Sequence, residues 1–182
     1  MLSSRGILKS CCMHSRNPTS DLTKEITDMP IWIIGLGAAS ENMNMTGRES
    51  LTSLRCAREA AKQAYQMAGV GPEDIDVAEV HDCFTIAEIL AYEDLGFAKP
   101  GEGPRLIEER ETYVGGRIPV NVDGGLLSKG HPVGATGGSQ ITTIVKQLRG
   151  EAGESQVPGA EIGLVHNVGQ VGMYGNVTIL KR

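Results

Sequence analysis

The feature that most constrains this chain is an alternation, repeated along its length, between short apolar runs and longer stretches with helical spacing, punctuated by glycine. Ile31-Trp32-Ile33-Ile34 is stopped by Gly35 and Gly37 and predicts a short buried strand. Residues 41–47 are polar and contain Asn and Gly, a loop composition. From 51 to 68 the apolar positions Leu54, Ala57, Ala61, Ala64, Tyr65 and Ala68 recur at steps of three and four. That spacing predicts a helix with a narrow, Ala-rich face, started by Ser50 or Thr52 and closed by Gly69. A second strand is predicted over 75–80. A second helix follows over 84–95, with Ile86, Ile89 and Leu90 turned inward and Gly96 ending it. Residues 98–116 are charged and glycine-dotted, a length that marks functional or flexible loops. A short strand at 118–122 is followed by a glycine-rich turn at 130–138, which leads into a third helix through Leu148. Strands at 162–165 and 176–180 complete the pattern.

Strands alternating with helices predict an α/β layered domain with a mainly parallel sheet of about five strands. The link between the last two strands is too short for a helical crossover, so that pair should be antiparallel. With 24 glycines in 182 residues, about twice the usual share, much of the backbone must turn tightly or approach a neighbour closely. The 17 basic and 22 acidic side chains leave a formal charge of −5, with no basic stripe to displace counterions, which argues against nucleic-acid binding. The longest apolar stretch, 31–39, is far below the roughly 20 residues of a spanning helix, so no membrane span is expected. Cys11, Cys12, Cys56 and Cys83 form no CxxC pair, which disfavours a disulfide framework or a cysteine zinc site and fits a reduced, cytoplasmic setting. Residues 1–28 read as a flexible leader and 29–182 as the folded domain.

Ligand sites in parallel α/β sheets lie beyond the carboxyl ends of the strands. Three histidines are predicted there: His81 in His81-Asp82-Cys83-Phe84, His166 in His166-Asn167-Val168-Gly169, and His131 in the Gly-rich turn before the third helix. Three imidazoles and the Cys83 thiol on one rim are suited to acid/base work near neutral pH. Taken singly, each histidine reads as well as a hydrogen-bonded structural residue, and Cys83 as a small apolar filler. A metal site is disfavoured, because the carboxylates and the HxxxH or CxxC spacings are missing. The turn is neither a Walker loop nor a dinucleotide fingerprint. The coincidence of three such positions favours catalysis.

These three segments, with Ala-Tyr-Glu-Asp-Leu-Gly-Phe ending at Phe97 and Pro-Val-Asn-Val-Asp-Gly-Gly ending at Gly125, resemble the C-terminal half of a thiolase. The similarity runs over about 22–182 and is nearest the sterol-carrier-protein-type and archaeal acetyl-CoA acetyltransferase branch. It implies a three-layer thiolase-like half with a mixed sheet, an antiparallel C-terminal strand and helices on both faces. It also implies an acyl-CoA acyltransferase of Claisen condensation and thiolysis. By position, His131 would activate the nucleophile and hold the thioester oxygen, and Cys83 would shuttle the proton. His166 would stand where most other thiolases have that cysteine. His81, Asn167 and Gly169 would line an oxyanion or substrate site. Acetyl-CoA or another acyl-CoA is implied as substrate, with no cofactor and no metal. The nucleophile belongs to an N-terminal half that this sequence does not match, and the flanks of Cys11 and Cys12 do not fit the nucleophile motif. The resemblance therefore implies association, as a homo- or hetero-oligomer, with a separately encoded N-terminal half or a small OB-fold partner bearing a zinc ribbon. The alternatives are a non-catalytic or partner-dependent subunit of a CoA-enzyme complex, or a truncated product. Gln170 departs from the branch, which has glycine there, and Met173-Tyr174 is bulkier than expected. Such a domain should expose an apolar face that a complete thiolase buries.

Overall fold

The computed structural model describes residues 26–182, and the fold is that of the unit Ile31–Arg182. Most of the expected leader, with Cys11 and Cys12, lies outside the described residues. Four strands form one mixed sheet: β1 (Trp32–Ser40), β2 (Val77–Glu79), β3 (Ile162–Gly169) and β4 (Tyr174–Lys181), in the order β1-β4-β3-β2. β3 and β4 form a hairpin paired from Ile162↔Lys181 to Gly169↔Tyr174, antiparallel as its short link requires. β1 pairs antiparallel with β4 and β2 parallel with β3. The expectation of a mainly parallel sheet is thus corrected. β1, β2 and β3 point the same way, but β4 inserts between β1 and β3 and makes two of the three pairings antiparallel.

The strand expected at 118–122 shrinks to one parallel bridge, Ala78↔Val120, which brings the sheet to four strands where about five were expected. Pro119 has no N–H to give to a ladder, and Asn121 turns the chain away at φ 49°. β1 runs well past its expected stop. Gly35 and Gly37 do not end it; they face α1 (Arg55–Ala68), and a Cβ on Gly37 would fall on the Ala60 carbonyl oxygen. α1 buries Cys56, Ala57, Ala60, Ala61 and Ala64, and Gly69 closes it in the left-handed conformation at φ 71°. It begins later than 51 because its free N–H groups find carboxylates from elsewhere. Leu54 N donates to Asp94 Oδ2 at 2.7 Å and Arg55 N to Glu41 Oε2 at 3.1 Å, while the Ser50 and Thr52 hydroxyls pair with each other.

α2 (Thr85–Asp94) turns Ala91, Tyr92 and Asp94 inward, and Ile86 is 57% exposed, against expectation. Its buried stripe runs through Ala91 and Tyr92 to Leu95, a rotation away from Ile86. The long segment 98–116 contains a short helix, α3 (Gly103–Glu108), with proline in its first turn. α4 (Gly125–Lys129) and α5 (Thr136–Arg149) follow. α1 covers β1 and β4, and α5 covers β2 and β3. Side-chain alternation divides the core accordingly: Ala78, Leu164, Val177 and Ile179 pack with the alanines of α1, and Val77, Val165 and Leu180 with Ile144 and Leu148 of α5. The edge strand β1 exposes Trp32, Ile33 and Leu36. Among the described residues no helix is long and apolar enough to cross a membrane.

Candidate active site

Two residues past the end of β2 the chain reaches His81, Asp82 and Cys83 before entering α2. Asp82 is buried and caps α4: its Oδ1 accepts the Leu126 N–H at 2.7 Å and its Oδ2 the Leu127 N–H at 3.4 Å. The carboxylate fits only because position 125 is glycine, where a Cβ would collide with it. α4 then delivers His131, which stands in the loop five residues before α5. The His131 ring meets that of His81 edge to face, with centroids 4.9 Å apart and planes at 85°. His131 Nδ1 lies 2.6 Å from Thr136 Oγ1, and that hydroxyl donates to the Pro132 carbonyl at 3.1 Å. When the hydroxyl gives its one proton to the Pro132 carbonyl it accepts from Nδ1–H, and in that tautomer Nε2 is unprotonated.

His166 does not follow β3 as expected but lies inside it, because the strand continues to Gly169. Its imidazole is buried, and neither ring nitrogen has a hydrogen-bond partner in the protein; His81 Nδ1 is likewise buried and unpartnered. Burial, reinforced by the charge His81 would carry, pushes His166 down to about 3. His81 is pushed down to about 4 by burial and then by His131, with Asp82 opposing. Both rings are therefore neutral at physiological pH. Cys83 is half-buried, and burial raises its thiol, offset in part by the backbone N–H groups of Phe84 and Cys83. Asn167 gives its side-chain amide to Gln140 Oε1 at 2.7 Å, and Gln140 Nε2 donates to the His166 carbonyl at 3.2 Å. Gly169 ends β3, half-buried beside Tyr174. Gln170 and Val171 follow in the hairpin turn, both exposed and both at positive φ (48° and 55°). The backbone there takes the form that glycine favours.

The structure thus brings His81 and His131 into ring contact and sets His166 where its burial, and then the charge His81 would carry, lower its imidazole, with Cys83 two residues from His81. Sequence reasoning missed Glu79, Asn121, Lys129 and Gln140, and the capping role of Asp82. Glu79 carried a signal, a carboxylate between Ala78 and Val80 in a buried strand. Gln140 and Asn121 carried none, because their partners are distant in sequence: Asn121 accepts the Val80 N–H at 2.9 Å. Among the described residues no group of three or more His, Cys, Asp or Glu side chains is placed to hold a metal ion. Concavities of about 420 and 600 Å³ open beside α3 and include none of the four candidate catalytic residues. The rim around the histidines instead carries exposed apolar side chains, Phe84 and Val133.

Residues 37–182 match the family described as thiolase C-terminal domain-like. An acetyl-CoA acetyltransferase of Methanothermobacter thermautotrophicus is 47% identical over 163 residues, which cover 90% of this chain and 43% of that protein. Sterol carrier protein 2 of Homo sapiens is 50% identical over 112 residues, covering 62% of this chain and 20% of that protein. A solved Ltp2-ChsH2(DUF35) aldolase superposes with a TM-score of 0.74 at 27% identity, over 84% of this chain and 40% of that one. The chain spans less than half the length of each of these proteins. Four strands in this order, with helices on both faces and the histidine segments at one end of the sheet, accord with a match that covers the whole described fold from residue 37. The chain belongs to the thiolase family, as a C-terminal-type domain.

Proposed function

We propose that this domain supplies the acid/base and oxyanion half of a thiolase-type acyl-CoA acyltransferase site. The observation that carries the reading is the cluster of neutral imidazoles: His81 and His166, buried and held uncharged, beside the more exposed His131 with Nε2 free as a base. Claisen chemistry removes a proton next to a thioester carbonyl and places negative charge on its oxygen. A neutral imidazole accepts a proton at one nitrogen or donates a hydrogen bond from the other, so such rings serve both demands without a metal. In this reading His131 deprotonates the nucleophile at Nε2, and a ring N–H of His81 faces the oxyanion. Cys83 exchanges the α-proton, and Asn167 and Gly169 border the substrate. The thiol that carries the acyl group comes from a second thiolase half, on this polypeptide or another, because Cys83 is raised rather than activated. Acetyl-CoA or another acyl-CoA is the substrate.

The test is thiolysis of acetoacetyl-CoA by this chain mixed with the N-terminal half of the archaeal acetyltransferase. Turnover is expected in the mixture and not with the chain alone, and His131→Ala should remove it. Stable acetylation of Cys83 in the isolated chain, seen by mass spectrometry and abolished by Cys83→Ala, would overturn the assignment of the nucleophile. A second reading, a partner-dependent subunit of a CoA-enzyme complex, draws support from the likeness to the Ltp2-ChsH2(DUF35) aldolase. Co-purification with an OB-fold, zinc-ribbon protein and activity only in that pair would favour it.

A further inference from the structure

Glu79 is the last residue of β2 and its carboxylate is fully buried. Oε2 accepts from Lys129 Nζ at 3.1 Å, and Oε1 has no partner. Lys129 is the last residue of α4 and also contacts Asp123 closely, whose Oδ2 takes the Thr143 hydroxyl of α5 at 2.7 Å. A carboxyl group taken fully out of water seldom repays its desolvation, even with a partly exposed lysine beside it, so the placement of Glu79 invites a role other than stability. The placement is symmetric: Glu79 precedes His81 by two residues, and Lys129 precedes His131 by two. The two segments joined by the pair are the two that present the edge-to-face rings. The other tether of α4, the Asp82 cap, holds the start of the helix and leaves its end, about one turn away, to Lys129.

We propose that the Glu79–Lys129 pair positions the His81–His131 imidazoles, fixing the spacing of their two segments. Its consequence for catalysis rests on the acid/base reading of the histidines; the geometric claim does not. Asp123 and Thr143 hold the lysine in place from the other side, and Gly130, at φ 94°, turns the chain from Lys129 toward the ring.

The experiment records imidazole carbon–proton correlation spectra and cross-ring NOEs on the full chain labelled at histidine. Lys129→Met, and the double variant Glu79→Gln/Lys129→Met that removes both the lysine and the carboxyl group, should lose the His81–His131 NOEs and shift both ring resonances toward free-histidine positions. Lys129→Arg should restore them. Ile179→Ala, which opens a cavity among the α1 alanines on the opposite face of the sheet, should leave them unchanged. A folded double variant with wild-type NOEs would overturn the proposal, as would their loss in Ile179→Ala. Failure of the double variant to fold would also overturn it, since the pair would then be structural. These readouts are independent of turnover: wild-type NOEs in the double variant defeat the positioning role, whereas an inactive wild-type mixture defeats the acyltransferase reading.

Discussion

α1 and α5 are built to the same plan and do different work. Each has 14 residues, each ends on a left-handed glycine, and each covers one face of the same sheet. The buried face of α1 is four alanines and a cysteine, whereas that of α5 includes Thr136, Gln140 and Gln147 beside Ile144 and Leu148. The alanine face sets a distance, since small side chains let the helix backbone rest against β1 and β4 through dispersion and apolar burial, with an exposed hydrogen bond from Ala38 N to Gln63 Oε1 at 3.2 Å beside it. The face of α5 holds connections. Gln140 binds the His166 carbonyl and Asn167, Gln147 binds the Ser155 carbonyl and the Val157 N–H, and Thr143 binds Asp123. Polar groups are buried where the sheet carries the candidate site, and on the side that only supports it they are absent from the helix face.

The largest effect should come from breaking the distance. Gly37→Ala pushes a methyl group onto the Ala60 carbonyl, which is backbone and cannot rotate away. It should lower stability by about 3 kcal/mol or more in urea titration. On the α5 side, Ile144→Val only shaves a buried side chain and should lose about 1 kcal/mol. Equal losses for the two would mean that α1 can ride off the sheet as easily as α5 repacks.

The next effect is confined to the connected side. His81 and His166 are held neutral, with values depressed from 6.5 to about 4 and about 3. Below 6.5 the unfolded chain binds protons at these rings and the folded chain does not, so stability rises with pH in that window. Their contribution is complete above 6.5 and is lost as pH falls toward 4 and 3. Glu79 works the other way. Burial, then Asp123, raise it to about 8, so its contribution is present below 4.5 and is lost as pH rises through 8. Lys129 is also raised, by Asp123 and Glu79 against its own burial, and Asp123 lies low, which makes Asp123 the firmer charge partner of the lysine and Glu79 the weaker acid. In wild type the two trends partly cancel. In Glu79→Gln one opposing carboxyl is gone, while Glu88 and Asp94, also raised by burial, still oppose, so the acid-side loss should steepen toward the histidine limit of roughly 2 kcal/mol between pH 6.5 and 5.5 for the two rings. Denaturation midpoints at the two pH values decide it, and an unchanged acid limb in that variant would show that the rings are not neutral in the fold. On the buried face of α1 the only titrating group is Cys56, raised to about 11 by burial and then Glu41, so that face stays silent over this range.

What the sequence made legible follows the same division. The alanine spacing of α1 and its closing Gly69 could be read directly, because a face that packs by size writes itself as a period of residue types. The expected β1 is shorter than the strand in the fold because glycine in an apolar run has two meanings, a stop or a close approach, and only the helix above Gly37 distinguishes them. The histidine segments stood out as motifs. Gln140, Asn121 and Lys129 did not, because a polar side chain in a helix or loop looks the same whether it faces water or a buried carbonyl. The expected strand at 118–122 is broken locally by Pro119, and the loop expected over 98–116 holds α3, whose first turn Pro104 marks.

A smaller loss is expected from cutting one connection while keeping its volume. Gln140→Met leaves the Asn167 amide and the His166 carbonyl without this partner, and it should cost about 1.5 kcal/mol. It should also change the His166 imidazole resonances, since residue 166 is then held only by its strand. The matching change on the other side, Ala61→Ser, adds a hydroxyl to a face with no partner for it and should leave those resonances alone. Resonance shifts of equal size in both variants would erase the distinction between the two helices.

The smallest effect tests the place where both sides meet. The hairpin turn is gripped from the α1 side, with Arg48 Nη2 donating to the Val171 carbonyl at 2.7 Å and Cys56 Sγ to the Gly172 carbonyl at 3.1 Å. From the α5 side, Gln140 holds the strand a few residues earlier. Between these grips Gln170 and Val171 both adopt positive φ, which a side chain disfavours and a β-branched one more so. Gln170→Gly should therefore stabilise the chain by about 1 kcal/mol, and Val171→Gly by at least as much, although glycine also loosens the unfolded chain and takes back part of the gain. Thermal midpoints measure the gain. The His166 resonances should not move in either variant, because the strain is held by Arg48 and Cys56 and ends before the Gln140 contacts begin. If relieving it did shift His166, the supporting side and the connected side would be coupled through the turn, and a substitution in the hairpin would be expected to alter the site.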